Sequence, residues 1–109
     1  MTIKTLLPVC ALFASATLFA QAMPAGAMQP GTLANEKLLN DVLPQMVILA
    51  STKGCQEPKD AQPYLKAQPS GKVGSRMWQE IWLIQCRNGN YPVEARFQED
   101  ATGASFRLR

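Results

Sequence analysis

The 109-residue chain contains no histidine. Its absence removes the commonest general base and the commonest metal ligand of proteins. Cysteine is also scarce, with three residues. The formal net charge of +3 neither drives nor excludes contact with an anionic surface. We therefore expect no catalytic residues, no metal site and no cofactor. We also expect no nucleic-acid partner, because the net charge is weak and the chain is predicted to be exported.

The chain also lacks an apolar run of the roughly 20 residues that a membrane-spanning helix needs. Its longest apolar run covers residues 5–20, follows Lys4 and contains Pro8. The run ends at Ala20-Gln21-Ala22, with small residues at the two positions that a signal peptidase reads. We predict a cleavable signal peptide at 1–22, no stable membrane anchor, and a periplasmic or secreted protein of a Gram-negative bacterium. Ala25-Gly26-Ala27 offers a second cleavage site, after Ala27.

Removal of the signal peptide takes Cys10 away and leaves Cys55 and Cys86. Two cysteines in an oxidising compartment usually pair, so we predict one disulfide, with two free buried thiols as the alternative. Closing that loop stabilises the fold by about 3–4 kcal/mol on the chain-entropy model. This is a large share of the roughly 5–10 kcal/mol expected for so small a domain.

The first half of the mature chain predicts a leader and a helix. Residues 23–31 hold two prolines and two glycines and read as a flexible leader. Thr32 is a candidate N-cap, and apolar residues at helical spacing predict a helix over 33–51 that kinks or restarts at Pro44. The apolar run 46–50 fits either this helix or a buried strand. Residues 56–76, rich in proline and charge, read as a surface connection with at most one short turn or strand.

The C-terminal third predicts three antiparallel strands. Residues 77–86 and 91–97 alternate around a turn at Asn88-Gly89 or Gly89-Asn90, and a second turn covers 100–103. Either first turn gives one apolar face, made of Trp82, Ile84, Val93, Ala95 and Phe97. The predicted fold is therefore a single small α+β domain over 32–109. In it an N-terminal amphipathic helix packs on a three-stranded antiparallel meander, with one disulfide.

Glu80 is the one charged residue on that apolar face, between Trp78 and Trp82. One interpretation makes it a recognition or acid group flanked by aromatic rings. The other makes it a core residue that reaches water or is satisfied by a basic side chain or a backbone N–H. A hydrolytic pair with Glu94 is not expected, because the two residues fall on different faces of the sheet.

The opposite face of the predicted sheet carries the candidate partner-binding surface. Ile81 and Leu83 lie at its centre. The residues around them include Arg87, Arg96, Arg107 and Arg109. An apolar centre with an arginine rim is typical of protein-binding patches. The alternative is a strand covered on both faces, by residues 56–76 or by self-association.

The C-terminal third also resembles a known group of sequences. The shared residues are Gly54-Cys55, Trp78-x-Glu80-x-Trp82, Cys86, Tyr91-x-Val93, Phe97, Asp100, Gly103 and Phe106. In this pattern the chain resembles the end of small, uncharacterised exported proteobacterial proteins. It departs from them at Arg87, Ala104 and Ser105. The resemblance implies export and architecture, and it implies no activity, catalytic residue or cofactor.

The leading functional hypothesis is a non-catalytic periplasmic or secreted binding or accessory module: an inhibitor, an immunity-type protein or a subunit of a complex. Its partner would be another envelope or secreted protein. The alternative is an envelope structural or stress protein without a single tight partner, and a small enzyme is the third possibility.

Overall fold

The computed structural model describes residues 23–109. The predicted signal peptide at 1–22, with Cys10 and the cleavage site after Ala22, lies outside the described residues. No helix in the described part of the chain is long and apolar enough to span a membrane. The elements in chain order are β1 (Gln29–Pro30), α1 (Glu36–Thr52), β2 (Pro58–Leu65), β3 (Met77–Cys86), β4 (Gly89–Asp100) and β5 (Gly103–Leu108).

The strands form one five-stranded antiparallel sheet in the order β1-β2-β3-β4-β5. Helix α1 packs on one face of this sheet, against β3, β4 and β5. The predicted architecture, an N-terminal helix on a three-stranded meander, is therefore wrong. Two further strands belong to the sheet, and the helix follows the first of them.

Helix α1 begins after Asn35, whose side-chain oxygen accepts a hydrogen bond from the Leu38 N–H at 2.9 Å. Asparagine is a favoured N-cap because it satisfies an N–H group that has no partner within the helix. The predicted cap, Thr32, is wrong. Thr32 lies before the observed cap, and its hydroxyl donates to the Glu80 carboxylate instead. Residues 46–50 belong to the helix, which continues through Pro44 without a restart. Residues four apart form its buried stripe: Leu38, Val42, Met46 and Ala50.

The end of the helix positions the disulfide. Gly54 has φ +118°, a left-handed conformation that glycine adopts at low cost just beyond a helix. The chain then turns so that the Cys55 N–H donates to the Ala50 carbonyl at 3.0 Å. Cys55 lies 5.6 Å from Cys86 between Cα atoms, and the two are joined by a disulfide. The predicted bridge is confirmed.

Strand β2 occupies much of the segment that was expected to be a surface connection. Pro63 lies within this strand although it has no N–H. Its carbonyl accepts a hydrogen bond from the Gly31 N–H at 2.9 Å, on the side of β2 away from β3. Its backbone therefore faces away from β3, and no β2–β3 hydrogen bond is lost. The Met28 N–H likewise donates to the Leu65 carbonyl at 2.7 Å. Residues 28–31, expected to be part of a flexible leader, are thus hydrogen-bonded to the sheet.

The hairpin between β3 and β4 turns one position earlier than predicted. Cys86 pairs with Gly89, so the turn is Arg87-Asn88. A turn at Arg87-Asn88 places the same residues on each face of the sheet as either predicted turn would. The predicted apolar face is therefore buried as expected. Its members Trp82, Ile84, Val93, Ala95 and Phe97 are each at most 4% exposed.

Candidate functional site

Glu80 is fully buried, with 0% of its surface exposed. It lies two residues from Trp78 and from Trp82 on β3, so all three side chains share the face under α1. The Trp78 indole N–H donates to Oε2 at 2.8 Å, and the Trp82 indole N–H donates to Oε1 at 2.7 Å. The Thr32 hydroxyl donates to both oxygens, at 2.8 and 2.9 Å, and the Leu33 N–H donates to Oε2 at 2.9 Å.

These contacts give Glu80 a structural task. Indole and backbone N–H groups can only donate hydrogen bonds, and a carboxylate that only accepts matches them. The contacts tie residues 32–33 to the middle of the sheet and thereby set where α1 begins. Because neither oxygen reaches the surface, the geometry favours the satisfied core residue over a recognition group. Indole N–H groups, which sequence reasoning did not consider as donors, supply two of the contacts.

A second carboxylate lines a hollow of about 450 Å³ that separates the start of α1 from the β4–β5 turn. Glu99 accepts hydrogen bonds there from the Arg76 side chain at 2.9 and 3.1 Å and from the Gly74 N–H at 3.0 Å. The Arg76 hydrogen bond is the main cause that lowers the pKa of Glu99 to about 2. Both oxygens are therefore engaged in holding residues 74–76 against β4.

The apolar centre of the predicted binding face is covered. Ile81 is only 2% exposed. A turn at residues 24–27, closed by a hydrogen bond from the Ala27 N–H to the Pro24 carbonyl at 3.0 Å, lies over it. A Cβ added at Gly26 would lie 3.6 Å from the Ile81 Cδ1 atom. Leu83 is half-buried. The strand is thus covered on both faces at Ile81, and residues 24–27 lie over it on the face away from α1.

Two of the four predicted rim arginines already have ionic partners. Arg87 lies in the β3–β4 turn, where its Nε is 2.9 Å from a Glu57 carboxylate oxygen. The Arg109 guanidinium lies 3.0 Å from Glu94, which also faces the Lys66 ammonium at 3.4 Å. Burial raises the pKa of Glu94, but the hydrogen bonds and charges of these two cations outweigh it and lower the pKa.

The other two arginines form what we call the arginine pair, Arg96 and Arg107. They are directly opposite each other on β4 and β5, on the face away from α1, and both are exposed. Neither forms a side-chain hydrogen bond or an ion pair with any of residues 23–109. Like charges directly opposite on neighbouring strands destabilise a sheet. The arginine pair is the one part of the predicted face that the structure leaves exposed and without a described counter-charge.

Polar groups surround the arginine pair on both sides. A shallow hollow of about 280 Å³ beside it includes Gln79 and Glu94, and a second of about 270 Å³ includes Gln98 and Ser105. The sequence analysis did not assign Gln79 or Ser105 to this face. Their positions follow from the register, because Gln79 pairs with Arg96 across β3–β4 and Ser105 pairs with Gln98 across β4–β5. The arrangement is suited to binding anionic and hydrogen-bonding groups.

No family model matches the chain, and no curated protein or solved structure matches it. The resemblance of the C-terminal third to small exported proteobacterial proteins therefore stays a prediction. Within residues 23–109 there is no group of three or more His, Cys, Asp or Glu side chains arranged to hold a metal ion.

Proposed function

We propose that the protein is an exported, non-catalytic binding module that holds an acidic surface of another envelope or secreted protein against the arginine pair. The observation that carries this proposal is the exposure of Arg96 and Arg107 at directly opposed positions, without a described counter-charge. A partner carboxylate between them would remove their mutual repulsion.

The chemistry of arginine supports an acidic partner. A guanidinium binds a carboxylate through two parallel hydrogen bonds, which adds geometric specificity to the charge attraction. Arginine is also enriched at protein interfaces relative to the rest of the surface. Gln79 and Ser105, which flank the pair, supply neutral groups for the rim of such a contact.

The proposed location rests on the disulfide and the N-terminal sequence. Cys55 and Cys86 are bridged, and structural disulfides persist mainly in oxidising compartments such as the periplasm and the extracellular medium. The signal-like pattern at 1–22 agrees with export.

Affinity capture from periplasm and culture medium, followed by mass spectrometry, tests the proposal. The double variant Arg96→Gln with Arg107→Gln removes the arginine pair. Its matched control, Lys37→Gln with Lys72→Gln, removes two exposed charges outside the predicted face. We expect the wild type and the control to capture the same partner and the arginine-pair variant to lose it.

Equal capture by both double variants would refute binding through this face. If the wild type itself captures no specific protein, the alternative of an envelope structural protein without a single tight partner is favoured instead. Circular dichroism of each variant confirms that the fold is intact before the comparison is made.

A further inference from the structure

The two edges of the sheet are built differently. Strand β1 covers only the end of β2, around Tyr64 and Leu65. Further along the β2 edge, Pro58 has no N–H, and the Ala61 N–H donates to the Asp60 side chain at 2.8 Å. Prolines and locally satisfied amides are devices that prevent an edge from pairing with another chain.

The β5 edge has no such protection. The backbone of Arg109 exchanges two hydrogen bonds with Glu94, each of 2.9 Å, so odd-numbered residues from 103 to 109 direct their backbone groups toward β4. Ala104, Phe106 and Leu108 therefore direct theirs outward. Among residues 23–109, no strand other than β4 pairs with β5, and these three N–H groups have no hydrogen-bond partner. Such a row of N–H and C=O groups is a template for an added strand.

The side chains of β5 determine what kind of strand fits. Arg107, opposite Arg96, lies on the face away from α1, whereas Phe106 and Leu108 are half-buried on the face toward it. An added strand would place alternate side chains on these two faces. Acidic residues would then lie beside the arginine pair, and apolar residues would lie beside Phe106 and Leu108.

A second copy of the same strand is disfavoured by charge. Pairing β5 with β5 of another molecule would bring two arginine pairs onto one face within a few residues. Like charges on neighbouring strands are destabilising, whereas a row of glutamate or aspartate is attracted to the same positions.

We propose that the β5 edge binds an extended segment of the partner protein in which acidic and apolar residues alternate. This inference rests on the proposed function and specifies its mode: backbone pairing at Ala104, Phe106 and Leu108, with carboxylates bound by Arg96 and Arg107. The partner strand extends the sheet by one strand beyond β5.

The test uses the oxidised protein, labelled with ¹⁵N, and the probe peptide acetyl-Thr-Glu-Val-Glu-Val-Glu-Thr-amide. We expect the amide signals of Ala104, Phe106 and Leu108 to shift and to gain protection from hydrogen exchange. Replacing the peptide glutamates by glutamine, or Arg96 and Arg107 by glutamine, removes charge-assisted hydrogen bonds and should weaken binding about tenfold or more.

Two N-methylated peptides provide the matched control. In an antiparallel added strand the valine amides face β5 and the glutamate amides face solvent, and in a parallel strand the assignment is reversed. N-methylation of the valines should therefore abolish binding while N-methylation of the glutamates preserves it, or the converse. Either result supports strand addition.

Three results would overturn the inference. Equal binding by both N-methylated peptides, with unchanged Ala104, Phe106 and Leu108 amides, would leave only a charge contact at the arginine pair. In that case the proposed function stands and strand addition fails. The proposal that a partner strand binds the β5 edge would also be refuted if the glutamate peptide did not bind at millimolar concentration. It would be refuted as well by a dimer, detected by analytical ultracentrifugation, that Ala104→Pro abolishes, because a second copy would then occupy the edge.

Discussion

Replacing Glu80 by glutamine should destabilise the protein strongly although it changes the side-chain volume very little. The glutamine amide keeps one acceptor oxygen and turns the other position into a donor. Its least unfavourable orientation places the NH₂ group at the Oε1 position. There the Thr32 hydroxyl can rotate to accept, but the Trp82 indole N–H loses its only acceptor.

The expected loss follows from these contacts. An unsatisfied buried donor costs about 1–3 kcal/mol, and the bonds from Trp78 and Leu33 weaken by roughly 1–2 kcal/mol in total when their acceptor loses its charge. Relief from burying a charge offsets part of this cost. We expect a net decrease of about 2–4 kcal/mol in the free energy of unfolding, within a total of roughly 5–10 kcal/mol.

Urea unfolding of the oxidised protein, followed by tryptophan fluorescence, measures this change. The control is Glu94→Gln on β4, which removes a partly exposed carboxylate and should cost about 0–1 kcal/mol. NMR provides an independent readout, because the indole N–H signal of Trp82 should shift in the Glu80→Gln protein. A Glu80→Gln protein within about 0.5 kcal/mol of the wild type would refute the assigned role.

Three further predictions concern the disulfide, the arginine pair and the response to acid. Reduction of Cys55–Cys86 should lower the free energy of unfolding by about 3–4 kcal/mol, measured by urea unfolding with and without reductant, and an unchanged midpoint would contradict the loop-entropy argument. Arg107→Thr should raise the free energy of unfolding by about 0.2–1 kcal/mol, because it removes a like-charge contact from a strand position that suits threonine; a loss of stability would show that the arginine has a structural partner. The low folded-state pKa of Glu99 means that its contribution is complete above about pH 4.5 and is lost as the pH falls toward about 2. Glu99→Gln should therefore reduce the slope of unfolding free energy against pH in that range, and an unchanged slope would contradict the hydrogen bonds assigned to Arg76.

The sequence was informative where strands were regular and paired with their chain neighbours. Alternation in 77–97 was enough to place Trp82, Val93 and Phe97 on one buried face, because any two-residue turn in this region has the same parity. The disulfide was predicted from the count of cysteines and the predicted oxidising compartment. These inferences need no knowledge of distant contacts.

Other features depended on contacts that no local pattern reveals. Strand β2 was missed because its prolines argue against a strand, and they are tolerated only because that side of β2 is an edge. The helix start was misplaced because Thr32 contacts Glu80, 48 residues away in the sequence. The burial of Ile81 depends on a turn at residues 24–27 that lacks apolar periodicity. The predicted fold was wrong for these non-local reasons.

The buried Glu80 and the exposed arginine pair lie on opposite faces of the sheet. The contacts of Glu80 stabilise the fold, whereas the repulsion within the arginine pair destabilises it. Glu80 is buried, but five hydrogen-bond contacts from four donors satisfy it, so the fold depends on it. Arg96 and Arg107 are exposed, and their direct opposition weakens the strand pair that carries them. A residue that the fold needs is explained by its contacts within the chain. The arginine pair has no such explanation within residues 23–109. Our proposal that an acidic strand binds beside β5 accounts both for the two positive charges and for the open backbone edge.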